Sequence, residues 1–106
     1  MNHLNQKDLI KLCVLHLINK KDYESYHLVK KLNDVFKFKI NYIYPIIYRF
    51  INEGYIETYD VEENGNKDKY YILSARGKEY YQQTYDEWLY FQDKFNNLVI
   101  EEDDYE

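Results

Sequence analysis

From Gln6 to Asn19 the apolar residues Leu9, Ile10, Leu12, Cys13, Val14, Leu15, Leu17 and Ile18 cover almost every side of a helix. A helix apolar all round is a buried one, and the polar run Asn19-Lys20-Lys21-Asp22 ends it. A second helix is predicted from Ser25, whose hydroxyl can accept an orphan N–H of the first turn. Leu28, Leu32 and Val35 then fall at i, i+4 and i+7 as one inward stripe, with Lys30 and Lys31 off it in solvent. A third helix is predicted from about residues 41–42, because Pro45 lacks an N–H and is best tolerated in a first turn. Ile43, Ile47, Phe50 and Ile51 form its buried face, and Tyr42, Tyr48 and Arg49 lie nearer the exposed sides. Gly54 closes it as a left-handed cap.

The period then changes. Residues 56–61 and 69–73 read as two strands, and Asn64-Gly65 between them is a hairpin turn signal. Ser74 can cap a last helix running to about Ile100. Along it Tyr81, Thr84, Trp88, Phe91, Phe95 and Leu98 step by alternating threes and fours, the seam of a coiled-coil-like contact. Three short helices and a hairpin cover only part of that seam, so a second copy of the chain is expected against it.

Composition narrows the class. One hundred and six residues, 45% of them apolar, make one domain with one core. Three glycines and one proline leave too few tight turns for a sandwich or barrel. The expected fold is mainly α with a small β-hairpin. The 14 tyrosines suit partly buried and contact surfaces, although a biased genome explains them equally well. No run approaches the roughly 18 apolar residues of a membrane span, and the polar N-terminus does not read as a secretory leader. A lone Cys13 forms no internal disulfide and fits a reducing cytoplasm. The net charge of −5 is unevenly placed. Residues 1–82 carry thirteen Lys or Arg against eleven Asp or Glu, and residues 83–106 one lysine against eight acids. The acidity is mostly a tail, and says little about a binding face elsewhere.

Helix, helix, helix, hairpin, helix is the order of a winged helix-turn-helix, whose third helix enters the DNA major groove with the hairpin beside it. Three blocks make the resemblance specific. Residues 25–32, Ser-Tyr-His-Leu-Val-Lys-Lys-Leu, resemble the Gly-Tyr-Glu-Leu-Ala-Lys-Arg-Leu block of the PadR family of transcriptional regulators. Residues 43–50, Ile-Tyr-Pro-Ile-Ile-Tyr-Arg-Phe, closed by Glu53-Gly54, resemble its Leu-Tyr-Pro-x-Leu-x-Arg-Leu block and Glu-Gly close. Residues 69–77 resemble its Lys-Tyr-Tyr-x-Leu-Thr-x-x-Gly block. With their spacing these cover about residues 7–99 and point to the small subclass with one C-terminal helix. The chain departs from the pattern at Lys39 and Tyr42, where small residues are usual, and in the wing, which has Gly65-Asn66-Lys67-Asp68-Lys69 in place of a Gly-Gly-x-x-Arg run. The operator sequence is therefore not carried over.

The resemblance implies a winged helix-turn-helix DNA-binding domain over 1–78, a dimerisation helix over 79–100 and a disordered acidic tail over 101–106. It implies a cytoplasmic homodimeric regulator, a repressor, that reads an inverted repeat in double-stranded DNA. Arg49, Lys67 and Lys69 are expected on phosphates, with Lys30 adding to the same field; each alone reads equally as solvated charge. Asn41, Tyr42 and Tyr44 lie where side chains reach base edges. Two roles stay open for three residues: Asn41 as base reader or helix cap, Tyr44 as base reader or wing packing, Tyr26 as phosphate ligand or core closure. The dimer seam is Tyr81, Trp88, Phe91, Phe95 and Leu98; Trp88 and Phe91 either bind a flat aromatic effector there or simply pack. No cofactor or metal is expected: His3, His16 and His27 are scattered, and none clusters with Cys13. No phosphate loop, nucleophile elbow or catalytic carboxylate pair marks an enzyme. The rival is a winged-helix protein-interaction module that does not bind DNA.

Overall fold

The computed structural model describes residues 5–104, the backbone alone over 102–104. The order is α1 Gln6–Lys20, β1 Tyr23–Glu24, α2 Ser25–Phe36, α3 Ile40–Asn52, β2 Ile56–Glu63, β3 Asn66–Leu73 and α4 Ala75–Asp104. The chain is mainly helical with a small antiparallel sheet, as expected. The sheet has three strands in the order β1-β3-β2, because the two-residue β1 pairs Tyr23 with Tyr71 and Glu24 with Tyr70. Two residues carry no periodic signal, so β1 was not foreseen.

The hairpin follows its turn chemistry. Glu63 pairs with Asn66 across a two-residue loop, and Asn64 and Gly65 both take positive φ, 53° and 80°. That is the type I′ turn, whose twist matches the strands. Gly54 takes φ 81°; its N–H donates to Ile51 O, and the Tyr55 N–H donates to Phe50 O. These two bonds form a Schellman close of α3. Ser74 caps α4, its Oγ accepting the Gly77 N–H at 2.9 Å.

Four sequence expectations need correction. Glu24, not Ser25, caps α2 by accepting the His27 N–H at 2.9 Å, because the Ser25 hydroxyl bonds the Tyr71 hydroxyl at 3.0 Å. Val35 is 61% exposed, and the inward stripe is Leu28, Val29 and Leu32. Lys37, at φ 60°, turns the chain away just beyond, so the last turn of α2 overhangs the core. Pro45 lies in the second turn of α3, where it removes the N–H that the Asn41 carbonyl would have bonded. Finally, α1 is not buried all round: Ile10, Val14, Leu15 and Ile18 are, while Leu9, Leu12, Cys13 and Leu17 are half-buried.

The core is one cluster in which Ile10 and Val14 of α1, Leu28 and Leu32 of α2, Ile43 and Ile47 of α3, and Ile56 and Tyr71 of the sheet meet. The first turns of α4 join it. Tyr80 stacks on Tyr55 with ring centroids 4.3 Å apart, and Arg76 lies 5.0 Å over the same ring. Tyr81 is 5% exposed and shares a 2.6 Å hydrogen bond with His16 Nδ1. Beyond Tyr85 the helix leaves the core, which stretches the molecule to 65 × 28 × 21 Å. α4 begins inside the expected first domain and runs unbroken to Asp104, so residues 101–104 of the expected disordered tail are helical; Tyr105 and Glu106 lie outside the described residues.

Candidate DNA interface

α2 and α3 are joined by the three residues Lys37, Phe38 and Lys39. The turn is held by Asn33 Nδ2 donating to Phe38 O at 2.9 Å, while the Lys39 N–H donates to Gln6 Oε1 at 3.1 Å. α3 therefore starts against both α2 and the N-terminal turn of α1. Its buried face is Ile43, Ile46, Ile47 and Phe50. The helical period then puts Asn41, Pro45, Tyr48 and Asn52 on the opposite, exposed ridge. Steps of four, three and four keep these residues in line. Lys39 is the N-cap and makes no side-chain cap bond, so Asn41 is not the cap but an exposed residue of the first turn.

A groove runs along each flank of this ridge. The flank toward α2 holds Tyr26, Lys30, Asp34, Ile40 and Tyr44 around about 310 Å³. The flank toward α1 holds Lys7, Lys11, Asn41, Tyr42 and Arg49 around about 350 Å³. The structure thus brings six of the eight expected DNA contacts onto or beside α3. Tyr42 turns toward α1, with Lys7 Nζ 5.4 Å and Lys39 Nζ 5.5 Å from its ring centroid. Tyr44 stacks on Tyr48 at 6.1 Å. Tyr48, half-exposed on the ridge, belongs with the expected residues; its step of four from Tyr44 was the signal for it. Two of the cations have partners: Lys30 Nζ lies 2.7 Å from Asp34, and Arg49 Nε 2.9 Å from Glu53. The Lys30 hydrogen bond holds the Asp34 carboxyl below its ordinary value, and the Glu53 hydrogen bond raises the Arg49 guanidinium.

The remaining two contacts, Lys67 and Lys69, stand apart on the wing. Both are exposed. In register, Lys67 faces Glu62 and Lys69 faces Asp60, and Lys67 Nζ lies 3.7 Å from Asp60. Across β2 and β3 the acids Glu57, Asp60, Glu62, Glu63 and Asp68 outnumber these two lysines.

On α4 the expected seam divides. Tyr81 sits in the chain's own core, whereas Phe91, Phe95 and Leu98 are 60%, 52% and 53% exposed, and Trp88 is partly so. Trp88, Phe91 and Phe95 stack in series with centroids 6.4 and 6.0 Å apart. Trp88 also closes a cavity of about 200 Å³ against Leu12, His16 and Leu17 of α1, Phe36 of α2 and Tyr85. Phe91 does not line it, but touches it through Trp88. Cys13 lines the same cavity, and its burial raises the thiol pKa, which keeps it protonated and unreactive.

A helix-turn-helix with an exposed ridge between polar grooves, a β-hairpin wing and a long terminal helix defines a winged helix-turn-helix protein. The model of the transcriptional regulator PadR-like family matches residues 14–83, and the chain belongs to that family. It is a DNA-binding transcription regulator and not an enzyme. Among solved structures, a protein from Streptococcus mutans is 25% identical with TM-score 0.82, over 93% of each chain. A PadR-like transcriptional regulator from Bacillus cereus is 30% identical with TM-score 0.77, over 86% of this chain and 91% of its own. A transcriptional regulator from Clostridium thermocellum is 26% identical with TM-score 0.70, over 85% of this chain and 89% of its own. No curated protein sequence matches the chain. Among the described residues, no helix is long and apolar enough to cross a membrane.

Proposed function

We propose that the chain works in the cytoplasm as a homodimeric repressor of transcription. Two copies pair through the exposed stripe of α4, and their recognition helices enter successive major grooves about one turn, roughly 34 Å, apart on an inverted repeat. The observation that carries the reading is the Asn41-Pro45-Tyr48-Asn52 ridge, which leaves base-facing side chains free while Tyr26, Lys30 and Arg49 flank it. Asn is suited to adenine, and tyrosine hydroxyls to phosphate or base edges. The stripe Trp88-Phe91-Phe95-Leu98 supports the dimer, because four large apolar residues left in water favour association.

The cavity behind Trp88 supports a second element of the reading, relief of repression by a flat aromatic molecule. Its walls are mainly apolar and aromatic, and it lies where the α1–α4 packing meets the dimer stripe. A ligand that prefers one α1–α4 arrangement shifts the population of wing-to-wing spacings and so the affinity for DNA.

Electrophoretic shift with the DNA upstream of the chain's own gene tests the first element. A shifted band whose affinity falls steeply with salt is expected. A dimer that retards no duplex at low salt would leave the protein-interaction reading in its place. Quenching of the single tryptophan by flat aromatic compounds tests the second; no quenching beside intact operator binding removes it.

A further inference from the structure

The groove between α1 and α3 has no role in the reading above beyond Asn41, Tyr42 and Arg49, and it holds two lysines from a helix outside the helix-turn-helix. We infer that Lys7 and Lys11 of α1, together with Arg49, hold the DNA phosphate backbone on the flank of α3 away from α2, the contact that a wing would ordinarily supply. This rests on the DNA-binding reading and assigns its second backbone contact.

The geometry comes first. A helix lying in the major groove, about 12 Å wide, has a phosphate backbone on each side of it. With the ridge of α3 on the base edges, its two grooves face those two backbones. Toward α2 the backbone meets Tyr26 and Lys30. Toward α1 it meets Lys7, Lys11 and Arg49 around a groove of about 350 Å³.

Charge points the same way. Lys7 and Lys39 flank the Tyr42 ring and, among the described residues, make no ion pair. Lys11 pairs with Asp8 only at 3.7 Å, and Arg49 pairs with Glu53 at 2.9 Å. Exposed pairs of this kind contribute little, because solvent screens them, so a phosphate can replace either acid. The wing is the opposite case. Its two lysines face Asp60 and Glu62 across the strands, and three further acids share the same hairpin. A net charge of that sign repels a polyanion, so counterion release at the wing is small.

The test is a salt titration of binding to a mixed-sequence duplex of roughly 30 base pairs, which reads phosphate contacts without needing the operator. Three chains are compared, each sized and melted first to establish that it is folded: wild type, Lys7→Ala/Lys11→Ala and Lys67→Ala/Lys69→Ala. The slope of log K against log salt should lose about 2 in the α1 variant, near one per lysine, and keep its wild-type value in the wing variant. Restoring charge with Lys7→Arg/Lys11→Arg should restore the slope. A wild-type slope in the α1 variant beside a reduced one in the wing variant overturns the inference and returns the contact to the wing. A wild-type chain that binds no duplex at low salt overturns the DNA reading and this inference together.

Discussion

Gly77→Ala probes the joint through which the wing meets the long helix. Gly77 is the third residue of α4 and is buried. A Cβ built there would stand 2.1 Å from the Tyr55 carbonyl oxygen and 2.8 Å from Leu73 Cδ1, where ordinary contact begins near 3.4 Å. Something must move by about 1 Å, and a backbone oxygen has little freedom to do so. Tyr55 O accepts the Ser74 N–H at 3.0 Å, and the Ser74 hydroxyl lies 2.6 Å from Gly54 O and 3.1 Å from Tyr55 O. Alanine in a helix gains about 1 kcal/mol over glycine. Against that stand about 1–3 kcal/mol of overpacking and about 1 kcal/mol for a hydrogen bond stretched or lost. The clash wins, and the net is a destabilisation of about 2 kcal/mol.

Thermal unfolding followed by circular dichroism should show a midpoint about 10 °C lower, at some 4–8 °C per kcal/mol for a chain of this size. Protein concentration is held fixed, since association with a second copy raises the apparent stability. Urea unfolding should show a lower midpoint at unchanged slope. Lys78→Ala, one residue on and exposed, is the control and should move the midpoint by less than about 4 °C. A Gly77→Ala chain as stable as wild type would refute the packing argument, since the helix-propensity gain would then stand unopposed.

Three further outcomes rest on the same structure. Phe91→Glu puts a charge in the middle of the exposed α4 stripe and should give monomers at micromolar concentration by sedimentation, while Phe91→Leu should stay associated. Gly65→Ala meets open space but must hold φ +80°, so urea unfolding should show a loss of about 1 kcal/mol from backbone strain alone. Burial raises the Tyr71 and Tyr81 hydroxyls above their ordinary 10.0, so the folded chain binds those protons more tightly than the unfolded one. Their contribution is fully present below about pH 10 and is lost as pH rises through the folded values; Tyr81→Phe should flatten that alkaline decline in a stability-versus-pH series.

Where a residue's structure is decided within a few positions of itself, the sequence was enough. Asn64-Gly65 needs only its own φ preferences to make the hairpin turn, Ser74 caps α4 on the Gly77 N–H three residues on, and Gly54 closes α3 on the Ile51 carbonyl three residues back. The failures share the opposite property. Ser25 has the side chain of a helix cap, but a tyrosine 46 residues on takes its hydroxyl, and Glu24 fills the place. Tyr81 fits the seam by its spacing, yet His16, 65 residues earlier, draws it into the core. β1 exists only because Tyr70 and Tyr71 offer it an edge. Periodicity identified which face of α3 is buried but carried the stripe of α2 one turn too far, to Val35, since the αL turn at Lys37 decides where α2 leaves the core.

The candidate interface was half legible for a related reason. Six of its residues could be placed from the helix-turn-helix alone, because α2 and α3 carry them and a three-residue turn fixes their relation. Lys7 and Lys11 lie on α1, outside the helix-turn-helix, and nothing in their spacing ties them to α3. Only the packing of α1 across the start of α3, held by Gln6 on the Lys39 N–H, makes them the wall of a groove. Net charge is no guide to that groove either. A sum of −5 says nothing about a duplex that meets a few square nanometres of surface. Most of the acids lie on the wing and on α4, while the ridge of α3 is bordered by lysines whose partners are weak or absent among the described residues. The sign that matters is that of the groove, and the fold sets it by bringing α1 beside a helix more than thirty residues away.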